Sequence, residues 1–330
     1  MKYARLGNSG LEVSKICLGA MSFAYTRNWK SWIIEEDESH EIVKKALDLG
    51  VNFFDTANLY SYGESEVILG KALKKYANRD EVVVATKVWA KMSDGPNGGG
   101  LSRKAIFAQL DASLKRLDMD YVDLYIIHRW DYNTPIEETM KALHDLIQSG
   151  KVRYIGASSM LTYQFQHAQN VAKQNGWTTF ISMQNHYNAI YREDERELIP
   201  FCIETGVGLT PYSPLASGRL AKDPDIDILT ARSSDDIVQK EKYDSFAKAD
   251  LGIIKRIKEI SLKRDISMSE VSLAWMLSKN GVVSPVIGVT KMHHLDDAVR
   301  AVDIVLTKDE IDYIDELYVA HNLVGPIIRK

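Results

Sequence analysis

Short apolar runs recur along the chain, each followed by a stretch with helical spacing. The runs fall at 16–18, 52–55, 82–87, 122–128, 152–158, 180–184, 207–212 and 282–287. They are mostly continuous rather than alternating, the pattern of strands buried on both faces of a parallel sheet. Between them, Ile42, Ala46, Leu47 and Val51 share one stripe, and Ile106, Leu110, Leu114 and Leu117 another. The stretch 138–149 ends at Gly150, the residue expected just past a helix C-terminus. Further helices are expected to open at Ser65-Glu66 and at Thr162.

Eight strands alternating with helices, without a compositional break, fit one closed (β/α)8 TIM barrel occupying 1–330 as a single α/β domain. Two doubly wound halves would alternate in the same way, so the barrel needs a second argument. Three segments stand outside the repeat. Residues 1–13, centred on Gly7-Asn8-Ser9-Gly10, predict a β-hairpin capping one barrel end. Residues 217–244 form a polar insertion, and 307–318 a C-terminal helix followed by a tail.

The second argument is where the polar residues fall. Asp55, Lys87, His128, Ser158 with Ser159, Gln184, and Tyr212 with Ser213 each sit at the C-terminal side of an apolar run, 26 to 41 residues apart. A closed barrel would gather them on one rim, where barrel enzymes build their active sites. Any one of them alone reads as a strand-end residue capping the next loop; the set does not. Tyr60 follows Asp55 in the next loop. A phenol with a pKa near 10 is a reluctant proton donor and acceptor at neutral pH, and a neighbouring ammonium is expected to lower that value. Asp55 would hold Lys87 charged, and His128 would orient a carbonyl oxygen. The plainer alternatives are a loop aromatic at Tyr60 and a satisfied core imidazole at His128.

Composition narrows the field. Hydrophobic residues make up 45% and charged residues 26%, so disorder is not expected. A net charge of −4 excludes the strongly basic surface of a nucleic-acid binder while allowing a local basic pocket for one phosphate. Cys17 and Cys202 are too few for a disulfide framework and suit a reducing compartment. No signal-peptide pattern and no run of about 20 apolar residues appears, so a soluble, cytoplasmic protein without membrane partners is expected.

These residues are similar to those of the aldo-keto reductase superfamily over essentially the whole chain. The resemblance is carried by Asn52-Phe53-Phe54-Asp55-Thr56-Ala57 with Tyr60, Gly63-Glu64-Ser65-Glu66, Thr86-Lys87, the Asp118–Asp123 run leading to His128, Gly156-Ala157-Ser158-Ser159 and Tyr212-Ser213-Pro214-Leu215. The segments 128–135 and 156–160 most resemble a bacterial subgroup, some of whose members bear a 1-deoxyxylulose-5-phosphate synthase-like label. The resemblance implies NADPH bound in an extended pose across the rim, with NADH as a weaker alternative. It implies reduction of aldehydes or ketones, with Tyr60 as proton donor, Lys87 tuning it, Asp55 pairing with Lys87, and His128 orienting the carbonyl. By the same carry-over, Ser158, Ser159 and Gln184 hold the carboxamide, Ser159 standing where asparagine is usual, and Tyr212 stacks on the nicotinamide. Ser213, Pro214, Leu215, Gly218 and Arg219 wrap the pyrophosphate, and Gly19, Met21 and Asp55 line the cofactor's path. Gly288, Thr290, Lys291 and His294 meet the adenosine end, with Lys291 and Thr290 at a helix start beside the 2′-phosphate.

On the substrate side, Phe23, Trp89 and Trp130 are expected to form an aromatic cup. The glycine-rich 94–100 segment reads as a mobile lid, and the insertion with Arg232, Lys240 and Lys242 either folds over the cofactor or forms a surface loop. His293-His294 lacks a third ligand at useful spacing, so no metal is expected. Lys255-Arg256-Ile257-Lys258-Glu259 reads as an exposed helix face. Two rival functions remain: a lyase using Lys87 as a Schiff-base nucleophile, and a non-catalytic NADPH-binding redox-sensing subunit. The sequence leaves the carbonyl substrate and the oligomeric state open.

Overall fold

The computed structural model describes residues 1–25, 32–226 and 237–326. Near the N-terminus, β1 (Tyr3–Arg5) pairs antiparallel with β2 (Glu12–Ser14). The turn between them carries Gly7 at φ +59°, and a Cβ there would come within 2.5 Å of the Ile181 carbonyl and 2.8 Å of the Gly206 carbonyl. The hairpin tip is therefore pressed against the N-terminal ends of two later strands, held by the Asn8 amide donating to the Gly206 carbonyl at 2.7 Å. Leu6 is fully buried and packs with Cys17, Phe53, Val83, Leu124 and Ile126. The hairpin is the expected cap.

Among the described residues, eight strands form one parallel sheet: β3 (Cys17–Gly19), β4 (Phe53–Asp55), β5 (Val83–Val88), β6 (Val122–Ile127), β7 (Val152–Ser158), β8 (Ser182–Gln184), β9 (Gly208–Leu209) and β10 (Val286–Gly288). β10 pairs with β3, which makes the order circular. Parallel bridges from Leu209 to Val282 and from Tyr212 to Val286 close the ring. The last two expected strands are shorter or shifted. Pro211 and Pro285 lack the N–H that a ladder needs, so the 207–212 run contributes two strand residues. In the 282–287 run the ladder with β3 starts only after Pro285.

Among the described residues, six α-helices cover the outside as far as residue 205: α1 (Glu36–Asp48), α2 (Glu64–Tyr76), α3 (Arg103–Leu117), α4 (Ile136–Gln148), α5 (Thr162–Gln174) and α6 (Leu198–Thr205). Local signals mark several of their ends. Glu36, Asp37 and Glu38 fill the first turn of α1, where the dipole favours anions. Ser102 caps α3 by accepting from the Ala105 amide, and Gly150 at φ +77° ends α4. Their apolar stripes, including Ile42, Ile106, Leu110, Leu143 and Phe165, pack on the outer face of the sheet in one large core. Gly70 in α2 is required by close approach: a Cβ would lie 2.2 Å from the Leu117 carbonyl at the end of α3. The remaining helices include Ala247–Arg264, where Lys255 and Glu259 are exposed as expected of the 255–259 run, but Arg256 and Lys258 are half-buried and Ile257 turns wholly into the core. Thr307 caps the helix Lys308–Asp315 in a capping box with Glu310. Among the described residues no helix is long and apolar enough to cross a membrane.

Candidate active site

Parallel pairing sets Asp55 beside Gly19, Gly19 beside Gly288, and Ser158 beside Gln184 at the C-terminal ends of the strands. A Cβ on Gly288 would meet nothing within 4 Å, so the rim is open at that point. Lys87 lies near the end of β5, and His128 follows β6 with its amide on the Val88 carbonyl. Tyr60 opens a 3-10 turn, Tyr60–Gly63, in which Ser61, Tyr62 and Gly63 take left-handed conformations at φ 48°, 53° and 98°. Non-glycine residues hold that shape only where the surroundings over-determine it. Here Ser61 Oγ donates to the Phe23 carbonyl at 3.1 Å, and Ser65 Oγ donates to the Ala20 carbonyl at 2.7 Å.

Lys87 Nζ has three hydrogens and three acceptors: Asp55 Oδ1, the Thr56 carbonyl at 2.9 Å and Tyr60 Oη at 3.2 Å. The other Asp55 oxygen accepts from Gln184 Nε2 at 2.9 Å. Because Tyr60 Oη accepts from Lys87, its own hydrogen is free to point elsewhere. The Tyr60 and His128 rings meet edge to face with centroids 5.9 Å apart.

The electrostatics depart from expectation at one point. Burial pushes the Tyr60 phenol above its ordinary value; the Lys87 ammonium pulls it down and Asp55 pushes it up again. The acidifying pull of Lys87 is present, but desolvation outweighs it, so the phenol stays protonated across neutral pH. Burial also opposes the Lys87 charge, yet Asp55 and Tyr60 more than offset it and hold Lys87 above its usual value. Burial, with Lys87 and Arg129 adding to it, drives His128 well below its usual value and keeps it neutral.

On the cofactor side of the rim, Ser159 takes a left-handed backbone at φ 47°, a shape asparagine adopts more readily than serine. Its Oγ lies 3.3 Å from Ser158 Oγ and 3.2 Å from Tyr212 Oη. Ser213, Ala216, Ser217 and Gly218 have positive φ values between 48° and 96°. The loop folds on itself around Pro214 and Leu215, the Ala216 and Gly218 amides donating to the Ser213 and Leu215 carbonyls at 3.0 and 2.8 Å. Arg219 is paired to Asp244, and its Nε is buried without a hydrogen-bond partner. Thr290 is half-buried, and exposed Lys291 stands at the N-cap of the helix Met292–Ala301. His294, half-buried, is pushed below its usual value by burial and by His293. A guanidinium and a helix N-terminus on this side of the rim fit a phosphate-bearing dinucleotide. Gly19 is buried in its ladder and Met21 half-buried just beyond it.

Several expectations are corrected. Phe23 is wholly buried in the core between sheet and helices, so its ring is not offered to the rim. Trp89 and Trp130 are half-buried and packed at the edge of that core. The 94–100 segment is stitched rather than loose. Met92 and Gly100 amides donate to the Gly98 and Trp89 carbonyls, and Asp131 Oδ2 accepts from the Leu101 amide at 2.8 Å. The His293 and His294 rings meet edge to face, with centroids 4.5 Å apart. Among the described residues no group of three or more potential ligands could hold a metal. Arg232 lies outside the described residues. Lys240 and Lys242 lie on the helix Ile237–Tyr243, and Lys242 Nζ sits 4.8 Å from the centre of the Tyr212 ring.

A further residue shapes the site, one that the sequence marks as a helix start and gives no role in the chemistry. Buried Glu66 joins Thr86 Oγ1 at 2.5 Å to Arg116 Nε at 2.6 Å, tying the helix after Tyr60 to the strand carrying Lys87. The signal available was Glu66 itself, a carboxylate on the apolar side of α2. A separate polar recess of about 380 Å³, lined by Asn8, Gln169, Lys173 and Thr205, opens by the hairpin cap at the other barrel end and holds none of the candidate residues.

A closed α/β barrel with this buried Asp–Lys–Tyr chain at its C-terminal rim is the architecture of a carbonyl oxidoreductase. The profile of the aldo/keto reductase family matches residues 15–319, and the chain belongs to that family. It is 43% identical to an aldo-keto reductase of Fusarium vanettenii, covering 98% of this chain and 92% of that protein. It is also 43% identical to the versiconal hemiacetal acetate reductase of Aspergillus parasiticus, covering 97% of each. A third relative, an aldo-keto reductase of Alternaria alternata, is 43% identical over 98% of this chain and 93% of its own. These relatives are fungal, so the bacterial subgroup expected from the sequence finds no support in them.

Proposed function

We propose that this oxidoreductase reduces aldehydes or ketones with NADPH, with NADH as a weaker donor. Bound at the rim, the cofactor supplies hydride to the carbonyl carbon. Tyr60 Oη donates its proton to the carbonyl oxygen as negative charge grows there, and neutral His128 donates a hydrogen bond to the same oxygen. Lys87 stabilises the phenolate left behind by strengthening its hydrogen bond to Tyr60 Oη, and Asp55 keeps Lys87 charged throughout. Gln184, Ser158 and Ser159 orient the carboxamide, Tyr212 offers the nicotinamide a ring face, and the 213–219 loop encloses the pyrophosphate. Lys291 and Thr290 take the 2′-phosphate. Trp89 and Trp130 bound the substrate side, which favours an aromatic or apolar carbonyl compound. We read 1–330 as one domain, in keeping with the family match across most of it.

The observation carrying this reading is the saturated Lys87 ammonium beside a protonated Tyr60. It also weakens the lyase reading, because an amine held charged by a buried carboxylate is no nucleophile. A panel of aldehydes and ketones, followed by loss of NADPH absorbance, tests the proposal. Turnover supports reduction and excludes a purely sensing subunit. No turnover on any carbonyl, or trapping of Lys87 by borohydride in the presence of substrate, overturns it.

A further inference from the structure

Behind Tyr212 lies a buried aromatic assembly that the mechanism above does not use. The His186 imidazole, 3% exposed, lies nearly parallel to the Tyr212 ring, with centroids 5.2 Å apart and planes 9° apart. It is also nearly parallel to Tyr191, at 4.1 Å and 17°. The main chain sets this stack: His186 and Tyr212 are partners in a parallel bridge, and the Tyr212 amide donates to the Asn185 carbonyl at 2.9 Å. A ring clamped in such a stack cannot tilt without losing face-to-face contact.

The His186 edge is fixed as well. Its Nε2 lies 2.7 Å from Tyr243 Oη, and Tyr243, at the end of the helix Ile237–Tyr243, is fully buried. Asn188 Nδ2 donates to the same hydroxyl at 3.1 Å and to the Ser213 carbonyl at 3.0 Å. The Tyr243 hydroxyl thus bridges the His186 edge and the Asn188 amide. Burial, with Lys242 adding to it, holds the imidazole well below its usual value.

We propose that His186 is a positioning residue: it sets the plane of Tyr212, and through Tyr243 it makes that plane depend on the seating of the helix Ile237–Tyr243. The inference rests on the reading of Tyr212 as the nicotinamide platform. An imidazole stacked with two tyrosine rings and held at one edge acts as a spacer, and the platform inherits its orientation.

The test uses NADPH binding and steady-state kinetics on the full chain. His186→Phe keeps a flat ring but removes the nitrogen, and Tyr243→Phe removes the oxygen. Each is expected to raise the NADPH dissociation constant about three- to tenfold while the KM for the carbonyl compound stays within about twofold. The double variant is expected to be no worse than the worse single, because both remove the same hydrogen bond. A merely structural role would move both KM values together. Single variants that bind NADPH like the parent, or effects that multiply in the double variant, overturn the proposal. Tyr212→Ala, run alongside, separates the two ideas. If it weakens NADPH while the single variants do not, only the positioning role fails; if it leaves NADPH binding unchanged, the platform reading fails and the proposal with it.

Discussion

Lys87 and Asp55 form an ion pair shut away from water, their side chains 0% and 2% exposed. Such a pair contributes little by existing but much by staying whole, because removing one partner leaves an uncompensated buried charge. Asp55→Asn is expected to destabilise the fold by about 3–5 kcal/mol in chemical denaturation. Lys87→Met should lower kcat about a hundredfold or more, since the forming phenolate loses its cation. A Lys87→Met enzyme with parental kcat would remove the lysine from the chemistry.

The pH profile should be asymmetric. Tyr60 is raised above its ordinary value of 10 and His128 lies well below 6.5, so neither titrates near neutrality. Carbonyl reduction should therefore be flat between about pH 7 and 9, whereas alcohol oxidation, which needs the phenolate, should climb with pH. Initial rates in both directions check this. A reduction rate that halves near pH 7 would contradict it.

At the adenosine end, Lys291→Ala should weaken NADPH about tenfold and NADH by no more than about twofold, because only NADPH carries a 2′-phosphate for the ammonium to meet. Dissociation constants for both nucleotides decide the point. Equal losses would place Lys291 away from the 2′-phosphate.

The C-terminal tail is fastened by a histidine whose contribution has a definite sign. His321 Nε2 lies 3.0 Å from Asp250 Oδ1, and although burial opposes its charge, Asp250 raises it above 6.5. The folded state binds this proton more tightly than the unfolded one, so the stabilisation is full below about pH 6.5 and fades as pH rises through the raised value. His321→Gln should therefore cost more stability at about pH 6 than at pH 9. Denaturation curves at both values test it; a deficit that grows with pH would reverse the assignment.

Where the sequence was legible, one physical constraint acted alone. Strands buried on both faces produce apolar runs, and the parallel ladder carries Asp55, Lys87 and Gln184 to one rim whatever the loops do. It was less legible where two constraints compete. Pro211 and Pro285 sit in apolar runs yet cannot donate to a ladder, so those strands shrink or shift. The glycines of 94–100 suggest looseness, but Asp131, thirty residues away from Leu101, supplies the stitch. Phe23 follows a strand end, as a rim residue would, yet the loop folds its ring into the core. The direction of the Tyr60 shift was missed because spacing reveals the neighbouring cation and not the depth of burial. His186, two residues past Gln184, gave no sign of its stack, since Tyr191, Tyr212 and Tyr243 meet it only through tertiary packing.

The most direct test of the account is Tyr60→Phe, which removes one oxygen and leaves the ring against His128. Carbonyl reduction should fall by about 10²- to 10⁴-fold while the NADPH dissociation constant stays within about twofold. Turnover close to the parent enzyme would contradict the assignment of the transferred proton to Tyr60.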